Sequence, residues 1–390
     1  MAKDALDALL ANASKKYDLN VGTVDGITSD AKFITTGNIA IDYVLGGGIP
    51  IGRTIELAGS SGSGKTTTAL QTAVNVQNII RNGGDTDLGI RADSRILYLD
   101  YEHAIDPEYA GKLGLDVNDE SFLFTQPDSL EDGAEFCLRA IETGRIALVI
   151  VDSVAAMNPK VKRDNEIGKA TIGVAAKLLK EFGTSLNPIA HENNCSVIFI
   201  NHEYDQIGGY SPGGFTPQIT PGGKALKYFA SVRLSYRLAK TYKTKMIDPI
   251  ANEEVERPSS SDIRVKSVKN RLAPPFRESI ARVRFGKGFD NYWTAMMILV
   301  AHKKVIYAAG IFKFHRVEDI GLAPEWMSRA TTGAQAPYIK GQDTLVKAAD
   351  EHPEWREGII ALAKEVVSNK QEVDVDEEDD DDDESLDNVV

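Results

Sequence analysis

"GSSGSGKT", residues 59–66, follows the strand-like run "RTIELA" and leads into the helix-like run "KTTTALQTAVNVQNIIRNG". The spacing G-x-x-x-x-G-K-T between a strand and a helix is the pattern of a phosphate-binding loop. Its residue types explain the chemistry. Gly59, Gly62 and Gly64 carry no Cβ, so the backbone can wrap an anion with successive N–H groups turned inward. The helix that starts there adds the positive end of its dipole. Lys65 supplies a point charge to the outer phosphates, and the Thr66 hydroxyl can ligate Mg2+. Gly59, Ser60, Ser61, Gly62, Ser63, Gly64, Lys65, Thr66 and Thr67 are therefore the candidate cradle of a nucleoside triphosphate. A Gly/Ser-rich turn without function would share the composition but not the flanking strand and helix.

Working outward, two other strand-like runs end in carboxylates. Asp152 closes "ALVIVDS", a hydrophobic strand whose terminal Asp is placed to complete a Mg2+ shell beside such a loop. Glu102 closes "ILYLDYEH" and is the candidate to orient and activate an attacking water. His103 beside it reads as structural. No Cys/His cluster has metal-ligand spacing, so Mg2+ is the only metal implied. Cys137 and Cys195 lie in helix-like and strand-like contexts and read as reduced, buried thiols.

From residue 33 to 290 strand-like and helical runs alternate, and the strands are continuous and β-branched. That texture predicts an α/β fold, a mostly parallel central sheet covered by helices on both faces. Ligands of such sheets collect at the carboxyl ends of the strands, where Glu102 and Asp152 fall. Residues 1–32 read as an arm, a short helix with Leu6, Leu9, Leu10, Ala13 and Tyr17 on one stripe followed by a turn-rich linker. It suits either its own core or a neighbouring subunit. Residues 291–371 read as a small C-terminal domain with helices at "YWTAMMILVAHKKVI" and "PEWREGIIALAKEVV" and a strand at "YAAGIFKFH". Residues 372–390 are an acidic tail expected to be disordered. The stretch 372–387 holds twelve acidic residues and no Lys or Arg, so all but one unit of the chain's net charge of −13 resides there. No apolar run approaches the ~18 residues of a membrane span. The first residues lack the apolar core of a signal peptide, which predicts a cytoplasmic protein.

Beyond these motifs, long ordered stretches resemble the RecA-type recombinases of bacteria and phages. They are "TTGNIAIDYVLGGGIPIGRTIELAGSSGSGKTT", "YLDYEHAIDPEYAGKLGLD", "TQPDS", "LVIVDSVAAMNPK", "GGKALKYFASVRL", "VKSVKNRLAPPF" and "GKGFDNY", with "KGQDTLVKAADEHPEW" near the end. The resemblance implies a RecA-type P-loop ATPase core and a DNA-dependent ATPase using ATP and Mg2+. Such proteins form helical filaments on single-stranded DNA, then pair and exchange strands with homologous duplex. Single-strand-binding and mediator proteins are further partners it implies. By position, Asp106 and Tyr109 would hold the adenine, Tyr109 by stacking. Lys269 and Arg271, in "VKNR", would reach ATP bound by the adjacent subunit. Glu102 would activate the water.

The same resemblance gives a role to "NHEYDQIGGYSPGGFTPQITPGG", residues 201–223, with six glycines and three prolines. It would be the second DNA-binding loop. Ile207 would wedge between bases, which reads no sequence and leaves recognition to base pairing. Gly222, Gly223 and Lys224 would contact the backbone. The first loop would be residues 163–173, with Ile172 as its apolar element and Lys169 nearby, and Lys177 and Lys180 would meet phosphates from the helix that follows. Some positions depart from the bacterial pattern. His202 stands where bacterial members carry Gln between the ATP site and the loop, and can hydrogen-bond toward the γ-phosphate. Thr184 replaces a basic residue, the second loop is about three residues longer, and residues 83–94 and 243–261 are enlarged. These point to a phage or divergent member. The acidic tail reads as a competitor of DNA for basic surface, or alternatively as a solubility tail. Two other readings share the phosphate loop, a hexameric DNA motor and a regulatory ATPase without DNA chemistry. Neither predicts the glycine-rich segment together with "VKNR".

Overall fold

A computed structural model describes residues 31–161, 173–205, 218–248, 250, 252–314 and 338–371. Its centre is a nine-stranded sheet. In chain order the strands are β1 (Thr54–Gly59), β2 (Arg95–Asp100), β3 (Phe122–Thr125), β4 (Ile146–Asp152), β5 (Ser196–His202), β6 (Val232–Ile247), β7 (Glu254–Asn270), β8 (Glu278–Arg284) and β9 (Gly288–Phe289). Across the sheet they lie in the order β9-β8-β7-β6-β1-β5-β4-β2-β3. The six from β6 to β3 run parallel, and β7, β8 and β9 extend that sheet as an antiparallel meander. The expected α/β class and mostly parallel sheet are what is found.

The helices that matter below are α1 (Ile39–Leu45), α2 (Lys65–Arg81), α3 (Pro107–Leu113), α4 (Leu130–Glu142), α5 (Val174–Glu192) and α6 (Ala225–Phe229). Strands buried on both faces explain the unbroken apolar runs: every residue of β1 and β4 is buried. The two-residue side-chain period then divides them. Leu57, Ile96, Leu148, Ile150 and Ile198 join Leu70, Ala73 and Val76 of α2 in one core. Leu97, Leu99, Val149, Val151, Val197 and Phe199 face the other way, onto Leu130 and Ile141 of α4 and Leu179, Phe182 and Leu186 of α5. Each such side chain contributes about 1.5–3 kcal/mol by leaving water. Cys137 and Cys195 are free thiols buried in this second core, and burial pushes Cys137 up to about 12.

Local signals place several boundaries. Asp106 caps α3, accepting from the amides of Glu108 (2.9 Å) and Tyr109 (3.1 Å), Pro107 opens the helix, and Gly114 ends it in the left-handed region. α5 runs on through Pro188 to Glu192. Its packing overrides the proline: Leu186 and Ala190 are buried, and Asn187 accepts from Thr54 Oγ1 (2.7 Å) and donates to Phe229 O (3.0 Å). The enlarged segment 83–94 contains a short antiparallel pair, Gly84–Asp85 with Ile90–Arg91, anchored by buried Ile90. The enlarged hairpin is made by β6 and β7, paired from Val232↔Asn270 out to Ile247↔Glu254.

A third core joins Ile39 of α1 to Tyr292, Trp293, Met296 and Leu299 of α7 (Asn291–Ala301). It includes Phe312 of a three-stranded sheet, β10 (Ile306–Ala308), β11 (Ile311–Lys313) and β12 (Tyr338–Lys340), and Trp355 and Ile359 of α9 (Pro353–Gln371). The expected strand at "YAAGIFKFH" is a hairpin that turns at Ala309 and Gly310, and the helix α8 (Gln342–Glu351) adds an element that the sequence pattern does not announce. Arg282 of β8 lies between the rings of Tyr242 (4.1 Å) and Trp293 (4.0 Å) and pairs with Asp262 at 2.7 Å, tying the hairpin to this third core.

Candidate active site

The cradle forms where β1 stops. Gly59 is required there by close approach, since a Cβ would lie 2.3 Å from Tyr236 O on the neighbouring strand. Gly62 and Gly64 adopt φ of 72° and 85°, and Gly64 opens α2 without any side-chain cap. The first-turn amides of α2 thus have no side-chain acceptor of their own, the arrangement an anion satisfies. Lys65 Nζ folds back and donates to Gly59 O (2.9 Å) and Ser60 O (2.7 Å). Burial lowers its pKa, opposed by the charges of Asp152, Glu102 and Glu203.

Asp152 ends β4 only 8% exposed. Its Oδ2 accepts from Thr66 Oγ1 at 3.2 Å and from Tyr98 OH at 2.8 Å. Burial pushes the carboxyl up to about 6, while the Tyr98 hydrogen bond pulls the other way. A hydroxyl and a carboxylate side by side at the mouth of a phosphate loop are hard oxygen donors of the kind Mg2+ takes, with water and phosphate filling the remaining positions. The donor set therefore fits that ion. Among the described residues no cluster of three or more His, Cys, Asp and Glu forms an all-protein cage.

Glu102 follows β2, and its Oε1 accepts from Ser153 Oγ and faces His202 Nε2 at 2.9 Å. The contact exists because β4 and β5 are neighbours in the sheet and β2 is next in line. Tyr109 of α3 reaches the same cleft, its hydroxyl 2.9 Å from Thr67 Oγ1. The cleft has a volume of about 360 Å³ and is lined by Ser61 to Thr67, Glu102, Tyr109, Asp152, Ile200, His202, Val283, Phe285 and Gly286. Asp106 is engaged as the cap of α3 and does not line it.

Sequence reasoning missed Tyr98, Ser153 and Phe285. Ser153 adjoins Asp152 and Phe285 adjoins "GKGFDNY", so both were within reach of motifs already noted. Tyr98 gives no signal, because a tyrosine inside an apolar strand reads as core.

Lys269 and Arg271 do not converge on this cleft. Lys269 pairs across the sheet with Arg233, which pairs in turn with Glu56, whereas the cradle follows Gly59, level with Tyr236. Three residues of strand correspond to roughly 10 Å. Lys269 Nζ donates to Lys227 O (2.9 Å) and Tyr228 O (3.1 Å), and Arg271 donates to Tyr228 O (3.3 Å). Burial, then the charges of Arg271 and Arg233, lowers the Lys269 pKa to about 8.

Gly222, Gly223 and Lys224 lie beside the start of α5. A Cβ on Gly222 would lie 2.8 Å from the Leu179 side chain, and one on Gly223 would lie 3.4 Å from Ala176. Lys177 and Lys180 stand exposed on that helix, Lys177 with Glu181 at 3.8 Å. Asn201 connects this face to the sheet, donating to buried Glu56 (2.8 Å) and to Pro221 O (3.2 Å). Ile172, Ile207, Lys169, most of both expected loops, the arm up to residue 30 and the acidic tail lie outside the described residues.

Residues 4–290 match the family model described as the RecA N-terminal domain. The chain is 32% identical to Protein RecA of Acinetobacter baylyi, over 94% of this chain and 92% of that one. It is 35% identical to Protein RecA of Acinetobacter baumannii, over 81% and 83%. With Protein RecA of Enterococcus hirae the identity is 32%, over 88% and 95%.

Proposed function

The chain belongs to the RecA family, and we propose that its cleft hydrolyses ATP with Mg2+ while the adjoining carboxyl edge of the sheet holds single-stranded DNA. The protein is a DNA-dependent ATPase that carries out strand exchange in recombination and repair, binds nucleotide and single-stranded DNA, and forms filaments.

The loop amides from Gly59 to Thr67 and the Lys65 ammonium hold the phosphates, Lys65 exchanging its two carbonyl acceptors for phosphate oxygens. Thr66 and Asp152 would hold Mg2+, which when bound neutralises charge on the outer phosphates. Glu102 orients the attacking water and takes its proton, with Oε1 engaged by Ser153 and His202. Tyr109 stacks on the adenine and Asp106 holds its edge. Lys269 and Arg271 sit away from their own cleft, which suits cations that complete the site of the next subunit. A site completed in trans makes ATP favour the filament interface.

DNA lies along Gly222, Gly223, Lys224, Lys177 and Lys180, with Ile172 and Ile207 as apolar wedges. The glycine-rich segment continues from the end of β5, whose last residue, His202, lies within it and touches Glu102. That 2.9 Å contact carries the reading, because one side chain joins the hydrolytic carboxylate to the strand that enters the DNA loop. Residues 1–32 act as an oligomerisation arm, 33–290 as the ATPase core, 291–371 as a C-terminal domain and 372–390 as an anionic competitor of DNA. Homologous duplex is the second DNA partner, with single-strand-binding and mediator proteins loading the filament. No helix of the described residues is long and apolar enough to cross a membrane, and we place the protein in the cytoplasm of a bacterium or a phage-infected host.

Hydrolysis of ATP measured with and without single-stranded DNA tests the reading. Strong stimulation is expected, abolished in Lys65→Ala. Equal rates with and without DNA would remove it.

A further inference from the structure

Tyr98 sits in the middle of β2, where the sequence shows only a strand. It is fully buried, with its ring 6.0 Å from that of Phe122 and 6.2 Å from that of Phe124. In register it faces Ile150, and Asp100 faces Asp152. Tyr98 and Asp152 therefore point to the same side of the sheet, one step apart on adjacent strands, as diagonal neighbours within reach of a long side chain. The hydroxyl ends 2.8 Å from Asp152 Oδ2, the same oxygen that accepts from Thr66.

A buried tyrosine hydroxyl needs a partner, and a backbone carbonyl would have served. Here it is spent on a carboxylate that ends a strand at the mouth of the phosphate loop. A carboxylate on a rigid strand still has a free χ2 rotation, and each rotamer presents a different oxygen to the cleft. A donor that is itself buried and packed against the rings of Phe122 and Phe124 removes that freedom. Partners of this kind, one step behind a metal-binding group, typically change metal affinity by about 10–100-fold when removed.

We propose that Tyr98 is a positioning residue for the cation site: by holding Oδ2 of Asp152 toward Thr66, it fixes which carboxylate oxygen is offered to Mg2+. This rests on reading Thr66 and Asp152 as the Mg2+ donors. The role is specific to the cation, because Tyr98 does not line the cleft and reaches nucleotide only through Asp152.

The test uses the full chain, Tyr98→Phe, and ADP as probe. Binding is measured by calorimetry twice, as ADP affinity without divalent ion and as Mg2+ titration at saturating ADP, with Asp152→Asn in parallel. Tyr98→Phe removes one oxygen and keeps the ring packing. The expected result is unchanged Mg2+-free ADP affinity, which also reports an intact cleft, and about tenfold more Mg2+ at half-saturation. Asp152→Asn should raise it further. If Asp152→Asn shifts the Mg2+ curve and Tyr98→Phe leaves it superimposable on wild type, the inference fails and the cation site stands. Equal weakening with and without Mg2+ would mean that the hydroxyl supports the cleft as a whole, which also overturns it. An Asp152→Asn curve identical to wild type would remove the cation site and the inference together.

Discussion

Lys269 shows how a single residue's surroundings set a pH range. Its ammonium is half enclosed against Lys227 O and Tyr228 O beside Arg271 and Arg233, and its pKa falls to about 8. The unfolded chain binds that proton more tightly, so stability of the isolated subunit rises with pH from about 8 toward the ordinary lysine value. Assembly has the opposite sign. If the charged form must meet a neighbour's phosphates, ATP-dependent assembly weakens as pH rises through about 8, by up to roughly tenfold per unit. Lys269→Arg, which stays charged, should hold assembly constant over that range in light scattering with ATP and single-stranded DNA. The same loss in wild type and Lys269→Arg would exclude this lysine as the titrating group. For Lys65→Ala the expected cost is about 10²–10³-fold in hydrolysis, the scale of one lost charge-stabilising donor. Lys65, Asp152 and Glu102 were legible as candidates because motifs at strand ends mark them, and the structure brings them to one cleft. The sequence hid Tyr98, whose contact with Asp152 depends on which strand lies next to which, a fact no local spacing records.

At the scale of elements, packing rather than propensity decides several outcomes. Gly183 lies in the middle of α5, where alanine would be the better helix former by about 1 kcal/mol. A Cβ there would meet the Phe229 ring at 2.2 Å. Phe229 also packs edge-on against Phe199 at 5.8 Å, so the ring cannot retreat freely. Gly183→Ala should therefore destabilise by about 1–3 kcal/mol, read as a fall in the denaturation midpoint. A rise in the midpoint would show that the propensity gain wins. The apolar strands β1, β4 and β5 were legible because burial on both faces leaves an unbroken hydrophobic run. The outer half of the β6–β7 hairpin was legible as an enlarged hairpin region through the resemblance, and its own pattern gives little, since its exposed residues carry charge rather than alternation. Helix α8 was missed because "QDTLVKAADE" offers few apolar positions, of which Leu345, Ala348 and Ala349 reach the core.

For the whole molecule, the proposed nucleotide residues and the described part of the proposed DNA face, from Pro221 to Lys224, gather at one carboxyl edge of the sheet, and Lys269 and Arg271 lie nearer the strand starts. If Lys269 and Arg271 complete the site of the next subunit, as proposed, subunits stack head to tail, and with the filaments of the family this predicts open helical filaments by electron microscopy with ATP and single-stranded DNA. Closed rings would contradict that arrangement. The acidic residues 372–390 should act on the assembly as a competitor, so their deletion should strengthen duplex binding at low salt and lower the Mg2+ needed. Unchanged duplex affinity would dismiss that role. His202 is the side chain proposed to couple the cleft to the DNA loop. The most direct measurement is the hydrolysis rate of His202→Ala with and without single-stranded DNA, beside direct binding of ADP and of DNA. Both ligands should still bind, and DNA should no longer accelerate hydrolysis. Full stimulation in His202→Ala would contradict that coupling.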